Sequence, residues 1–282
     1  MFKRVMVAVV GLPLLILILG WAPSWATMLL LAAMCAIGAW ELMHAAAGER
    51  GRPLIPLTVI AAALVPVCVY AEVSIENTEL TALPVLPLTA LLGAVLVLAL
   101  FVVSICRYGG ERAVPFAALT TAIFAGLVFP LMLSCMLRLR MVPYIGMLLV
   151  FFPLCISFGS DTFAFFAGLL FGKHKLTPVS PKKTVEGAIG GLIGGVIGMM
   201  IMPFVGGMVI SDAFMSPTMA VAFGLLGSVV SQIGDLSFSV IKREFGVKDY
   251  GRIFLEHGGV LDRFDSVIFV APVLTMALAY LL

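Results

Sequence analysis

The chain has 282 residues, of which 62% are hydrophobic and 11% are charged. Soluble domains carry about 25% charged and 45–50% apolar residues, so this composition excludes an ordinary soluble domain. The net charge of +2 carries little information, because the placement of charges decides what they do. No basic stretch is interleaved with aromatic residues, so we expect no nucleic-acid partner. The composition predicts one membrane domain without a sizeable soluble part.

Apolar runs close to the ~20 residues that cross a bilayer recur along the whole chain. These runs are too long for membrane strands, and alternating ten-residue segments of the barrel type are absent. In chain order, the predicted spans run near residues 5–20, 25–44, 55–71, 84–104, 113–136, 144–171, 187–209, 217–236 and 262–282. We therefore predict an all-α, polytopic integral membrane protein with about nine transmembrane helices.

The first apolar run follows Lys3 and Arg4 and precedes Ser24-Trp25-Ala26, a pattern that secretory signal peptides also show. Because apolar character resumes directly after Ala26, we expect an uncleaved first span.

The placement of charged residues supports this span count. With a cytoplasmic N-terminus, Arg138 and Arg140 are the only two of the 17 lysines and arginines that fall outside. The loop around Glu72, Glu76 and Glu79, which contains no basic residue, falls outside as well. Since cytoplasmic loops carry an excess of lysine and arginine, we predict a cytoplasmic N-terminus.

Polar groups are divided unevenly along the chain. Residues 1–143 hold few polar groups within their spans, so we predict a scaffold that contacts lipid or forms a dimer surface. Residues 144–282 hold nearly all of the concentrated charge, so we predict that the catalytic helices and loops lie there. The predicted seventh span opens with a run of glycines, Gly187 to Gly198, which is typical of close helix packing. A backbone lining for a ligand is the weaker alternative.

Four aspartates lie within predicted spans or at their ends: Asp161, Asp235, Asp262 and Asp265. Ionisable groups inside a span cost several kcal/mol and therefore indicate a functional site. Carboxylates at one membrane depth repel each other and need protons, basic partners or cations. Mg²⁺ suits such oxygen ligands, because it takes one or two carboxylates together with substrate phosphates. A structural ion-pair cluster with Arg263, or the relay of an ion-coupled transporter, remains open on these residues alone.

Two predicted cytoplasmic loops carry basic residues near these carboxylates. The first, residues 171–184, places four lysines in a short stretch bounded by prolines. The second, residues 242–259, mixes basic residues with Asp249, His257 and glycines. Two basic loops beside an acidic cluster suit a polyphosphate bridged by metal. Topogenic or lipid-binding charge would explain the lysines and arginines, but not the interleaved polar residues and glycines.

A long, order-specific pattern runs through the second loop. It consists of SVIKR from Ser239, then Lys248-Asp249, then HGGVLDRFD from His257 to Asp265. This pattern resembles the signature of the phosphatidate cytidylyltransferases, or CDP-diacylglycerol synthases. The stretches from Ser160-Asp161 through PKKTVEG at 181–187, and Gly234-Asp235-Leu236, are similar to two further blocks of that family. One departure is Leu255-Glu256, where the family more often has Pro-Gly, which puts the shape of that turn in question.

The resemblance implies a reaction and a set of residues. The family transfers the cytidylyl group of CTP to phosphatidic acid, which gives CDP-diacylglycerol and pyrophosphate. Implied metal ligands are Asp235, Asp262 and Asp265, for Mg²⁺ and a second, monovalent cation such as K⁺ as an additional candidate. Implied catalytic residues are Asp235, Asp262, Lys242, Arg243, Lys248, Asp249 and His257. Implied substrate-binding residues are Ser160, Asp161, Lys182, Lys183, Gly258, Gly259 and Arg263.

Within this set, the basic side chains are expected to hold phosphates of CTP or phosphatidate. Gly258 and Gly259 are expected to form a tight loop that lets backbone approach the nucleotide. For His257, a structural hydrogen-bond donor and an acid catalyst are both open.

The resemblance also implies partners and a location. We expect CTP, phosphatidic acid and membrane lipid as partners, and a homodimer by family analogy only. We expect a multi-pass protein of the inner (cytoplasmic) cell membrane with its active site facing the cytoplasm. A CTP-dependent lipid kinase and an ion-coupled membrane transporter are the alternative functions.

Overall fold

In a computed structural model of the chain, residues 2–76, 87–110, 113–210, 214–251 and 258–280 are described, and side chains from residue 11 onward. The helices in chain order are α1 (Phe2–Gly20), α2 (Ser24–Ala46), α3 (Gly48–Gly51), α4 (Ile55–Glu76), α5 (Leu88–Cys106), α6 (Phe116–Ile123), α7 (Phe129–Arg140), α8 (Gly146–Leu149), α9 (Phe152–Phe171), α10 (Val185–Val209), α11 (Pro217–Glu244) and α12 (Leu261–Ala279). A 3₁₀ turn, Arg52–Leu54, precedes α4, and a π-helical turn, Phe124–Val128, joins α6 to α7. Within these ranges the sole β-type pairing is an isolated bridge between Lys175 and Thr184.

The predicted all-α, polytopic membrane fold is confirmed. Over the described residues, seven helical segments are long and apolar enough to cross a bilayer. Two predicted spans fall outside those seven. The side chains of the first half of α1 lie outside the description, and α12 opens with the charged residues Asp262, Arg263 and Asp265. The number nine and the cytoplasmic N-terminus therefore stay predictions.

The ends of two helices differ from the predicted spans for local reasons. The predicted span 144–171 is interrupted at residues 150–151, directly before Pro153 of α9. Proline has no N–H and its ring clashes with the preceding turn, so a helix restarts there more easily than it continues. Helix α11 runs to Glu244, two turns beyond the predicted end at 236. Its basic last turn, with Lys242 and Arg243, complements the negative end of the helix dipole.

The chain forms two compact units. The first consists of Met1–Met141 and Phe245–Arg263, and the second of Val142–Glu244 and Phe264–Leu282. The predicted functional division between residues 1–143 and 144–282 stays a prediction.

In the first unit, α4 packs against α2, α5 and α7. The interface buries aliphatic side chains, including Leu31, Leu42 and Val69. A buried polar cluster also joins these helices: the Glu72 carboxylate accepts hydrogen bonds from Thr89 N (2.7 Å), Thr89 Oγ1 (2.9 Å) and Arg138 Nη2 (2.9 Å). Glu72 and Arg138, which were both predicted to lie on the non-cytoplasmic side of the membrane, therefore neutralise each other's charge.

In the second unit, α10 packs closely against α9 and α11. A Cβ atom added at Gly194 would overlap the Gly159 carbonyl oxygen, and one added at Gly198 would overlap the Cys155 carbonyl oxygen. On the α11 side, a Cβ at Gly224 would lie 2.6 Å from Val196 Cα. The prediction that these glycines serve close helix packing is confirmed. The result is a closely packed three-helix frame around the polar residues described next.

Candidate active site

A cavity of about 520 Å³ opens in the second unit among α9, α10, α11 and the loop before α10. Its polar lining residues are Asp161, Ser180, Lys182, Lys183, Thr184, Gln232 and Asp235. Its apolar lining consists of Ala164, Phe165, Gly168, Leu169, Leu176, Gly187 and Ala188. Four predicted site residues, Asp161, Lys182, Lys183 and Asp235, thus share one cavity although they are up to 74 positions apart in the chain.

Short backbone contacts fold the lysine-bearing loop over this cavity. Leu176 N donates to Lys183 O (3.0 Å), Val185 N donates to His174 O (2.9 Å), and Lys183 N donates to Ser180 O (3.0 Å). At the end of the loop, Thr184 caps α10 by accepting a hydrogen bond from Gly187 N (3.0 Å). The loop and the start of α10 therefore form one hydrogen-bonded unit that presents Lys183 to the cavity.

Glu186, in the first turn of α10, ties down the other end of the loop. Its Oε2 accepts hydrogen bonds from Lys173 N (3.1 Å) and His174 N (3.3 Å), and its Oε1 lies 2.6 Å from His174 Nδ1. A carboxylate at this position also interacts favourably with the positive end of the helix dipole. Glu186 is thus an anchor of the loop that the sequence analysis assigned no role.

Lys183 and Asp235 form an ion pair within the cavity. Their side chains are 28% and 25% exposed, so the pair is partly shielded but open to a ligand. Each group carries a charge that a metal-bound phosphate would use: the ammonium donates to phosphate oxygens, and the carboxylate ligates cations. The arrangement therefore gives one ligand access to both charges.

Asp265 belongs to the same unit as Asp161 and Asp235. It is 8% exposed, and its Oδ1 accepts a hydrogen bond from Ser266 N (2.7 Å). Asp235 and Asp161 lie within electrostatic range of it, and Lys242 partly offsets their repulsion. Asp161 and Asp235 are therefore both close enough to Asp265 to act on its charge, and the functional role of these carboxylates stays a prediction.

Beneath the cavity, α9, α10 and α11 are linked by polar contacts. Ser228 Oγ donates to Gly191 O (2.8 Å) and lies 3.1 Å from Ser160 Oγ. Gln232 Nε2 donates to Ala188 O (3.1 Å) while its side chain lines the cavity. Ser160 is fully buried and is not part of the cavity lining. Ser160 contacts Ser228, which lies one turn before the cavity-lining Gln232 on α11. Its role in substrate binding stays a prediction.

At the cytoplasmic end predicted for α11, Arg243 Nε donates to Val179 O (3.3 Å). This contact connects the end of α11 to the loop that carries Lys182 and Lys183. Arg243 therefore contacts the loop, and Lys242 lies within electrostatic range of Asp265.

The first unit contains the remaining described site residues. The Asp262 Oδ2 atom accepts hydrogen bonds from Tyr250 N (2.8 Å) and Gly259 N (2.9 Å), so this carboxylate binds backbone N–H groups of both residues. Gly258 has a φ of +83°, which residues with a side chain rarely adopt. Lys248, Asp249 and Arg263 have exposed side chains. His257 lies outside the described residues.

A carboxylate that the sequence analysis did not assign, Glu41 of α2, lies against the start of α12. Its side chain is fully buried and accepts hydrogen bonds from Val260 N and Leu261 N, each at 3.1 Å. A Cβ atom at Gly259 would overlap the Glu41 carboxylate oxygens. The second glycine of the His-Gly-Gly motif is therefore required by this carboxylate, whereas the first is required by its positive φ. An isolated acid within an apolar run is the signal that could have identified Glu41.

The carboxylates of the candidate site suit Mg²⁺, which prefers oxygen ligands. Among the residues that the structure describes, no three His, Cys, Asp or Glu side chains are grouped so that they could hold a metal ion together. Mg²⁺ does not need three, because it commonly binds one or two carboxylates and completes its shell with water and substrate phosphates. Asp235, with Lys182 and Lys183 beside it for the phosphates, fits that mode.

The chain is similar in sequence to known cytidylyltransferases. A sequence model described as the cytidylyltransferase family matches residues 2–281. Relatives named phosphatidate cytidylyltransferase include one from Staphylococcus saprophyticus subsp. saprophyticus, 44% identical over 134 residues, and one from Staphylococcus haemolyticus, 42% identical over 134 residues. Each alignment covers 47% of this chain and 50% of the relative, so the chain spans about half the length of the curated relatives it matches. The predicted resemblance is confirmed, and because the family match extends over nearly all of its residues, the chain belongs to the cytidylyltransferase family.

Proposed function

We propose that this protein transfers the cytidylyl group of CTP to phosphatidic acid, which gives CDP-diacylglycerol and pyrophosphate. The observation that carries the proposal is the cavity of the second unit, which combines Lys182, Lys183 and Asp235 with an apolar wall. A ligand that suits both surfaces has phosphate groups and hydrocarbon chains. Phosphatidic acid has both, and the names of the curated relatives point to the same substrate.

The chemistry requires charge neutralisation more than a strong base. A phosphomonoester is already largely ionised at neutral pH, since its second pKa is near 6. The obstacle is the repulsion between phosphatidate and the triphosphate of CTP. Cationic side chains reduce this repulsion and stabilise the charge that develops on the leaving pyrophosphate. Lys182 and Lys183 are the cavity residues suited to that task.

Magnesium is the metal that suits the carboxylates. Asp235 would hold it, with Asp265 in support, and it would supply Lewis-acid stabilisation of phosphoryl oxygens. Asp262 is a further candidate ligand by the family resemblance alone. A second, monovalent cation such as K⁺ is an additional candidate. The protein itself keeps Asp235 and Lys183 side by side. A bound phosphate could therefore interact with a cation held by Asp235 and with the Lys183 ammonium group at the same time.

The apolar wall of the cavity suits the acyl chains. Phe165 and Leu169 of α9 line the cavity and are 64% and 69% exposed. On a membrane-spanning helix, exposed apolar side chains of this kind can contact lipid acyl chains. An amphiphile can therefore keep its chains in the bilayer while its phosphate reaches Lys183. We accordingly place the site at the cytoplasmic face of the inner membrane, where the basic loops are predicted to lie.

Replacing Lys183 by methionine is expected to lower kcat/KM by roughly 10- to 100-fold. A charge-assisted hydrogen bond contributes about 1.5–3 kcal/mol, and each 1.4 kcal/mol is a factor of about ten. Steady-state kinetics with varied CTP would measure the loss. Lys175→Met is the matched control, because it removes the same charge from the same loop at a residue that does not line the cavity. Equal losses in both variants would contradict a specific role for Lys183.

Product analysis tests the proposed reaction. The purified protein in detergent would be incubated with α-labelled CTP, phosphatidic acid and Mg²⁺, with and without a chelator. We expect a labelled CDP-lipid and pyrophosphate, both lost on chelation, and neither product from an Asp235→Asn preparation. Transfer of label from γ-labelled CTP to a lipid, with release of CDP, would instead identify a lipid kinase. Ligand flux in proteoliposomes without bond cleavage would identify a transporter.

A further inference from the structure

We infer that Glu41 is a positioning residue of the proposed site, whose carboxylate fixes the start of α12 and thereby the carboxylate of Asp262. The contact is long-range in the chain, since Glu41 belongs to α2 and its partners are Val260 and Leu261. This inference deepens the proposed function and rests on it for its kinetic consequences.

The Glu41 carboxylate satisfies backbone groups that have no partner within the helix. The first N–H groups of an α-helix have no intrahelical acceptor, and α12 begins at Leu261. Glu41 Oε1 accepts from Val260 N and Glu41 Oε2 accepts from Leu261 N, so both oxygens are used. In the described part of the chain no basic side chain forms an ion pair with Glu41. The positive end of the helix dipole is the favourable electrostatic partner there.

Asp262 depends on the same short segment. Its Oδ2 accepts from Gly259 N, the residue before the two that Glu41 holds. Three consecutive N–H groups, those of Gly259, Val260 and Leu261, are therefore bound by two carboxylates. If Glu41 releases its two, two of these three consecutive N–H groups lose their acceptors, and only the hydrogen bond to Asp262 itself remains among the three.

Packing around Glu41 leaves this carboxylate little freedom. Gly251 and Gly259 both lie so close to it that a Cβ atom on either would overlap its oxygens. One turn earlier on α2, a Cβ at Gly38 would lie 3.2 Å from Leu261 Cδ2 and 2.9 Å from Phe129 Cζ. Helix α2 therefore approaches the start of α12 closely at both Gly38 and Glu41. Close packing of this kind restricts the movement of a buried side chain, so the Glu41 carboxylate can hold the backbone at Val260 and Leu261 in one position.

The test uses Glu41→Gln, which keeps the shape of the side chain. Its amide oxygen can accept from one of the two N–H groups, but its NH₂ group opposes the other donor. We expect hydrogen–deuterium exchange of the metal-free protein to be roughly tenfold faster or more in peptides covering 258–263. In the cytidylyl transfer assay we expect kcat to fall about 100-fold, the scale of a misplaced catalytic group. KM for CTP should stay within about threefold, because the lost interaction affects geometry and not ground-state binding.

Glu72→Gln is the matched control. Glu72 is also a buried glutamate of the first unit, 4% exposed, and it is hydrogen-bonded to Thr89 and Arg138 without contacting α12. We expect it to leave exchange in 258–263 and kcat at wild-type values. If Glu41→Gln is not recovered in folded form, Glu41→Asp replaces it, since that side chain keeps the charge but is too short to reach both donors.

Two results would overturn the inference. Unchanged exchange in 258–263 for the Glu41 variants would show that the contact does not hold this segment. Parallel losses of kcat and thermal stability in the Glu41 and Glu72 variants would show a purely structural role. If the wild-type protein makes no CDP-lipid, the proposed function fails, while the exchange measurement still decides whether Glu41 holds the segment before Asp262.

Discussion

Asp235→Asn is expected to abolish cytidylyl transfer while the protein still inserts into the membrane and folds. Asparagine has nearly the same size, so packing around α11 is preserved. The change removes the negative charge that pairs with Lys183 and that would hold Mg²⁺. Loss of metal-based charge stabilisation costs several kcal/mol, which corresponds to a decrease of about 10³-fold or more in turnover.

Turnover measured over a range of Mg²⁺ concentrations would check this prediction. Glu244→Gln is the matched control, because it removes one carboxylate from the exposed end of the same helix. Asp262→Asn is expected to lose activity for the same reason, although its remaining carbonyl oxygen can still accept from Tyr250 N and Gly259 N. Near-normal turnover of either aspartate variant at limiting Mg²⁺ would refute the metal assignment.

Gly194→Val is expected to give the largest loss of stability. Any Cβ atom at Gly194 overlaps the Gly159 carbonyl oxygen and Phe163 Cβ. Backbone atoms cannot rotate away as a side chain does, so α9 and α10 must separate. Overpacking of this kind costs about 3 kcal/mol or more. The frame around Asp161 and Asp235 would be lost with it, and we expect little monodisperse protein after extraction in detergent.

Gly207→Val controls for the effect of valine in a helix. Gly207 belongs to the same helix, but a Cβ atom there has no other heavy atom within 4 Å. Both variants carry the same intrinsic helix-propensity change, so their difference isolates the α9–α10 contact. Apparent thermal unfolding midpoints and yields from size-exclusion chromatography would compare them. Similar values for the two variants would contradict the close-packing role of Gly194.

Several features of this protein follow from local sequence patterns. The lengths of the apolar runs predicted the helices, and the glycine spacing of Gly187 to Gly198 predicted close packing. The cost of charge inside a membrane span indicated Asp161, Asp235, Asp262 and Asp265 as candidate functional residues. The order of residues from Ser239 to Asp265 indicated the family. Each of these signals can be recognised from residues that are close to one another in the sequence.

Three residues with structural contacts around the candidate site were not predicted from the sequence. Glu186 was missed because its partners, Lys173 and His174, are fixed by how the loop folds back onto α10. Gln232, one turn before Asp235 on α11, was assigned no role, although it lines the cavity and donates a hydrogen bond to Ala188 of α10. Glu41 was missed because it stands alone in an apolar span that otherwise indicated scaffold.

By itself, the sequence determined the membrane environment, the helical class and the residue types available for phosphate and metal chemistry. Those properties depend on hydrophobic periodicity and on the cost of burying charge, which act within one segment. Tertiary structure decided that Lys183 pairs with Asp235 and that Glu41 holds Val260 and Leu261, more than 200 residues away. Such pairings are selected by the packing of whole helices, because a buried carboxylate accepts whichever donors the surrounding backbone brings within hydrogen-bond distance.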